Sequence, residues 1–352
     1  MKRLSSFHTV HHLVLAAVIL FVSQALATIT PHKASSTAYV STVYQFPEGA
    51  WVENLAVRPN GQLLVTRLDV PELYLVDPIQ RSATLVHSFA DASGLLGITE
   101  ISRDVYAVGG GRVFLGNATT VPGSFTVWKV DMRSRRVSVS KIAKVLESGL
   151  LNGMAFLDNG NHTLLVADSD KHVIWRVNMR TGAYSVALAD ETMLPAAGAP
   201  IPIGVNGVEV RGGFVYYTSS TKGLLCRVPV DATGSATGPF EILATWTFVD
   251  DFILDAGGTA YITAIDTNEI VRARPDGTTS VIAGGLNSTF VAGPTAVQFG
   301  RTRKDLDTLY ITTSGAQVFP VNGTFTEGGK VVALRLARWK RGDTADSAWL
   351  AE

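Results

Sequence analysis

Three features of the sequence predict an all-β chain folded as a six-bladed β-propeller closed by pairing of its N- and C-terminal strands: six gapless copies of one apolar phrase, a β-rich run after most of them, and a third strand recurring at a fixed place. The phrases are Glu53-Asn-Leu-Ala-Val57, Leu96-Gly-Ile-Thr-Glu100, Asn152-Gly-Met-Ala-Phe156, Asn206-Gly-Val-Glu-Val210, Asp250-Asp-Phe-Ile-Leu254 and Gly293-Pro-Thr-Ala-Val297, with starts 43 to 56 residues apart. A period of that size is a blade of three or four antiparallel strands. Two packed sandwiches would not predict a repeat this regular, and helical 3.6-residue periodicity is absent after the N-terminal segment.

Each unit follows in order. Turn signals such as Pro59-Asn-Gly61 and Asn159-Gly160 lead into second strands, among them Leu63-Leu-Val-Thr66, Leu164-Leu-Val-Ala167, Val215-Tyr-Tyr-Thr218, Ala260-Tyr-Ile-Thr263 and Leu309-Tyr-Ile-Thr312. Third strands are Leu73-Tyr-Leu-Val76, Val127-Trp-Lys-Val130, Ile174-Trp-Arg-Val177, Leu225-Cys-Arg-Val228 and Ile270-Val-Arg-Ala273. Tyr74, Trp128, Trp175 and Cys226 share one position there and are read as structural. Ala38–Tyr44 is a strand without a unit, and Lys330–Leu336 is a third strand without an outer partner. Pairing these two hides both sheet edges.

The ends carry a different message. Lys2 and Arg3, the apolar run Leu13 to Val22 and Ala25-Leu-Ala27 form a secretory signal over residues 1–27, too short in its apolar part to span a bilayer. A leader, 28–37, the propeller, 38–336, and a polar tail, 337–352, complete the expected organisation. Four sequons, Asn117, Asn161, Asn287 and Asn322, fit a secreted glycoprotein with no membrane association after the signal is removed.

Composition narrows function. Thirty basic against thirty acidic residues leave no excess for a phosphate backbone, so nucleic acid is not an expected partner. One cysteine permits neither an intrachain disulfide nor a cysteine zinc site. The mature chain's His32, His87, His162 and His172 avoid the repeat's first positions, no Gly-x-Ser-x-Gly occurs, and Gly109-Gly-Gly111 lacks a phosphate loop's strand-to-helix setting.

First strands line a propeller's channel, so the phrases' first residues, Glu53, Leu96, Asn152, Asn206, Asp250 and Gly293, form an axial ring. Buried polar groups must be satisfied. Converging oxygens of Glu53, Asn152, Asn206 and Asp250 suit a divalent cation, Ca²⁺ above all, or else a hydrogen-bond network around axial water. Trp51, Trp246, Phe248 and Phe290, within about four residues of the ring, are candidate hydrocarbon contacts or blade packing. Asn54 and Asp251 adjoin the ring and are further candidate substrate contacts. The long loops, Gly109–Ser124 and Met193–Ile203, are lids, binding edges or linkers.

The phrases Asn152-Gly-Met-Ala-Phe, Val166-Ala-Asp-Ser169 and Leu254-Asp-Ala-Gly-Gly resemble the senescence-marker-protein/gluconolactonase propellers. The resemblance implies one divalent ion held by Glu53, Asn152, Asn206 and Asp250, and a Ca²⁺-dependent lactonase. The usual Glu-Gly-Pro-x-Trp is here Trp51-Val-Glu-Asn54, a departure. The run Trp51-Val-Glu-Asn-Leu-Ala-Val-Arg-Pro-Asn-Gly-Gln-Leu-Leu-Val-Thr66 is similar to the secreted fungal hetero-Diels–Alderases of tropolone–sesquiterpenoid pathways. That resemblance, from about Tyr39 to about Leu336, implies coupling of a tropolone-type ortho-quinone methide with humulene; a monomer is the expected state. No cofactor is required for such a cycloaddition. Asn152, Asn206, Glu53 and Asp250 would then supply polar contacts and acid–base catalysis. A non-catalytic propeller binding a small molecule or a protein is the remaining alternative.

Overall fold

The computed structural model describes residues 39–336 except Asp158, Asn159 and Asn161. The signal, the leader, the tail and the Asn161 sequon lie outside the described residues.

The predicted architecture is present: six four-stranded antiparallel sheets. Blade 1 runs Val52–Val57, Leu63–Arg67, Glu72–Asp77 and Ser82–Ser88 from axis to rim; blades 2 to 5 begin with inner strands Gly94–Ser102, Leu151–Leu157, Val205–Arg211 and Val249–Leu254. Blade 6 takes Pro294–Phe299, Thr308–Thr313 and Lys330–Arg335 from the C-terminal end and its outer strand, Tyr39–Gln45, from the other. Tyr39 pairs with Arg335 and Gln45 with Lys330, antiparallel, so the ring closes as predicted. Every inner strand touches the inner strands of both neighbouring blades, blade 6 meeting blade 1.

Apolar alternation places the core between blades. One wedge joins Leu64, Ile98 and Trp128 of blades 1 and 2; another joins Leu165, Val208 and Cys226 of blades 3 and 4; a third joins Val43, Leu55 and Val331 across the closure. Cys226 is fully buried, and burial pushes its thiol up to about 11, which leaves it inert.

Hydroxyls stitch the wedges at the axis. Thr66 Oγ1 donates to Leu96 O (2.6 Å), Ser169 Oγ to Val205 O (2.7 Å), Thr218 Oγ1 to Asp250 O (2.6 Å), Thr263 Oγ1 to Thr295 O (3.1 Å) and Thr295 Oγ1 to Val52 O (2.7 Å). Each bond runs from one blade to the next and satisfies a buried carbonyl. Between blades 2 and 3 a glycine replaces the stitch. A Cβ on Gly97 would lie 2.2 Å from Asn152 O, so only glycine admits that approach.

Candidate functional site

All six inner strands carry a register slip near their start. It spans Glu53 (between Val52 and Asn54), Leu96 (between Leu95 and Ile98), Asn152 (between Leu151 and Met154), Asn206 (between Val205 and Val208), Asp250 (between Val249 and Phe252) and Thr295 (between Pro294 and Ala296). A bulge re-aims the extra residue's side chain. Five of these positions are those read from the repeat. The sixth is not: Gly293 precedes the strand at φ +61°, and Thr295 holds the ring position. The gapless phrase therefore places blade 6 two residues early. Thr295 also turns its hydroxyl into the wall, where it meets Thr312 Oγ1 at 2.9 Å.

Glu53, Asn152, Asn206 and Asp250 are brought together on the floor of one cavity of about 520 Å³. All four are buried. Asn206 Nδ2 donates to Asp250 Oδ1 at 2.6 Å and to Ser220 Oγ at 3.0 Å, and Asn152 Nδ2 donates to Ser169 Oγ at 3.3 Å. The Trp51 indole N–H donates to Glu53 Oε2. Burial is the main influence on both carboxyls. It pushes Glu53 up to about 7, aided by the charge of Asp251 and opposed by the indole hydrogen bond. It raises Asp250 well above the usual carboxylate range, reinforced by the charges of Glu53 and Asp251 and opposed by Asn206. Two desolvated carboxyls that repel one another retain a proton at neutral pH.

Asn54 and Asp251 do not line this cavity. They follow the ring residues in sequence and face away from the floor, where Asn54 Nδ2 donates to Asp251 Oδ2 at 2.9 Å. That bond links blade 1 to blade 5, past blade 6. Glu209 of blade 4 and Gln298 of blade 6 make a second such bond. Asn54 and Asp251 thus belong to a layer that ties blades across the axis, set apart from the cavity lining.

The walls are apolar. Trp51 and Phe248 contribute from the predicted aromatics, joined by Leu68, Leu96, Leu150 and Ile265. Trp246 and Phe290 do not. Trp246 packs in the wedge with Leu225, Phe252 and Ile262, while Phe290 is 63% exposed on the approach to blade 6. Few residues separate each from the ring, but a strand start can direct neighbouring side chains to different sides.

Both long loops reach the cavity. Gly109–Gly111 proves to be strand, and the insert after it supplies Val113, Leu115 and Pro122; the second loop supplies Ile201, Pro202 and Ile203. A third contributor, between Thr308–Thr313 and Lys330–Arg335, escaped the sequence reading and brings Gln317, Val318 and Phe319. Gln317 Nε2 anchors it to Ala50 O and Ser314 O, both at 2.8 Å, and Phe319 packs on Phe248 at 5.6 Å between ring centroids. The length of Gly315–Gly329 was the available signal.

The ring was also expected to suit Ca²⁺. Its oxygens are of the right kind. As arranged, however, Asn206 presents N–H to Asp250 and Glu53 faces the indole, so the polar groups satisfy each other by hydrogen bonds. Among the described residues no group of three or more His, Cys, Asp or Glu side chains is placed to hold a metal. As arranged, these hydrogen bonds suit proton and hydrogen-bond chemistry.

No family model matches the chain. It is 29% identical over 332 residues to a protein of Phoma sp. named "Putative hetero-Diels-Alderase", spanning 84% of this chain and 93% of that protein. The chain is thus similar to a protein named as a hetero-Diels–Alderase. A second protein so named, from Sarocladium schorii, is 26% identical over 311 residues, covering 77% of each chain. Among solved structures, the calcium-binding protein regucalcin from Agrobacterium tumefaciens shares the fold at a TM-score of 0.57, with 16% identity over 89% of this chain and 98% of that one. The solved structure shows the shared fold, and the named relatives support an enzyme role as a cyclase.

Proposed function

We propose that the protein is a secreted hetero-Diels–Alderase joining an electron-poor oxadiene to an apolar alkene, the oxadiene being a tropolone-type ortho-quinone methide and the alkene humulene. One observation carries the reading: a proton-holding polar floor under hydrocarbon walls in a single cavity. Concerted cycloaddition needs no nucleophile. It needs two reactants held in near-attack geometry, worth roughly 7–11 kcal/mol. It also gains from hydrogen bonds to the oxadiene oxygen, which deepen its electron deficiency.

The floor supplies those donors. The Asn152 amide and a proton held on Glu53 or Asp250 face the oxygen-bearing ring of the substrate. Trp51, Phe248 and Phe319 hold the hydrocarbon and exclude water, which would add to a quinone methide. Where the precursor is the alcohol, the protonated carboxyl gives its proton to the departing hydroxyl, water leaves, and the ionised partner accepts the ring hydroxyl proton. Atoms balance as alcohol to quinone methide plus water.

The test is incubation of the purified protein with the tropolone alcohol and humulene. One adduct stereoisomer formed faster than in buffer is expected. A product mixture and rate equal to the buffer control would overturn the proposal.

A further inference from the structure

The blade 2 insert that forms one lip of the cavity carries a sequon. Paired two-residue strands, Val113–Phe114 and Thr119–Thr120, present a single 3-10 turn, Leu115–Asn117, to solvent. Asn117 is exposed at the end of that turn. Its Oδ1 accepts from Thr119 Oγ1 at 2.7 Å, so the asparagine and threonine of the sequon are already brought side to side. Leu115, Ala118 and Thr119 line the cavity while Asn117 between them faces out. The same lip bares apolar surface: Phe114 is 49% exposed, Leu115 37% and Val121 36%. Clustered exposed apolar side chains promote association unless covered.

We propose that Asn117 is a modification site bearing an N-linked oligosaccharide that covers this apolar lip. The group arrives from a lipid-diphosphate-linked oligosaccharide in the secretory pathway. The bond from the first sugar carbon to Asn117 Nδ2 forms as its bond to the diphosphate breaks; Nδ2 gives up a proton and the lipid diphosphate leaves. Asn287 and Asn322 are also exposed, but neither has cavity-lining neighbours on both sides. A glycan at Asn117 sits where a hydrocarbon-lined opening meets water. Its hydroxyls replace a sticky edge with a hydrated one, leaving the cavity interior dry.

The full chain is secreted from a yeast host, and the glycan is released with peptide N-glycosidase in heavy-oxygen water, which converts the glycosylated asparagine to labelled aspartate. Label at Asn117 is expected. Asn117→Gln and, separately, Thr119→Ala then lose one glycan in mass, gain fluorescence with an apolar-surface dye, and shift toward larger species on sizing; Asn287→Gln shows neither of the last two changes. An unlabelled Asn117 in the secreted protein overturns the proposal. So does a labelled Asn117 whose loss leaves dye binding and size unchanged. The readouts are masses, fluorescence and size, so cyclase activity does not enter the outcome.

Discussion

The indole N–H of Trp51 donates to the carboxylate of Glu53, two residues along the same chain, at the floor of a hydrocarbon-walled cavity. The bond occupies Oε2. It also favours the ionised carboxylate and so restrains the upward push of burial. Trp51→Phe keeps the ring in the wall and removes only the donor. The Glu53 titration, followed by carboxyl-carbon NMR, should move to higher pH, and the alkaline limb of the rate profile should move with it. Equal loss of rate at every pH, with no shift of the limb, would mark Trp51 as packing alone.

Stability should respond to pH in the opposite sense to that of a salt-bridged acid. Glu53 is raised from 4.5 to about 7 in the folded protein, so between those values the folded state holds a proton that the unfolded chain has lost. The contribution is fully present below the unfolded value and disappears as pH rises through about 7. Glu53→Gln has no charge to bury. At pH 8 it should melt later than the parent, by on the order of 1 kcal/mol in stability, and at pH 4 it should show no advantage. Parallel melting curves at both pH values would refute the burial argument.

Asn206 holds Asp250 through a 2.6 Å hydrogen bond. Asn206→Leu removes that donor from a buried carboxyl while nearly preserving volume. A fall in kcat of about tenfold to a hundredfold is expected, comparable to removal of a placed polar donor, with a smaller change in KM. Stopped-flow or discontinuous assay over a range of hydrocarbon concentrations separates the two.

Phe319 should set the fit of the hydrocarbon. Phe319→Ala deletes an aromatic wall whose supporting loop remains pinned by Gln317. Loss of that contact area should weaken hydrocarbon binding by about 1–2 kcal/mol, read as a rise in KM of roughly tenfold. Looser seating should also admit the minor adduct stereoisomer. An unchanged KM and isomer ratio would place the hydrocarbon elsewhere.

Chelation separates the hydrogen-bonded ring from an ion-bearing one. Extended dialysis against a chelator should leave both the melting temperature and the adduct rate unchanged. A drop in either, restored by Ca²⁺, would mean that Asn206 turns its carbonyl inward to a cation.

The blade repeat was legible because strand alternation and turn residues are local properties. A second strand such as Leu63-Leu-Val-Thr66 can be recognised without knowing what packs on it. Equivalent positions in a closed repeat must also face the same axis, which is why Glu53, Asn152, Asn206 and Asp250 could be grouped from spacing alone. Local pattern also explains the misplaced sixth residue: Gly293-Pro-Thr-Ala-Val aligns without a gap, and only the pairing of Pro294 with Thr313 and Ala296 with Thr312 reveals that Thr295 is the bulged residue.

The chain's order of residues therefore determined the number of blades, the closure of Tyr39–Gln45 on Lys330–Arg335, and the polar character of the axis. Tertiary structure alone decided which neighbours share the cavity. Phe319 reaches Phe248 from a distant loop, whereas Trp246, two residues from Phe248, packs against a wedge between blades. Only packing selects the side of a strand, the loop that bends inward and the partner a carboxyl meets, because those contacts join residues far apart in the chain. Glu53 and Asp250 acquire their raised affinity for protons in the same way: burial beside one another is a property of the assembled ring.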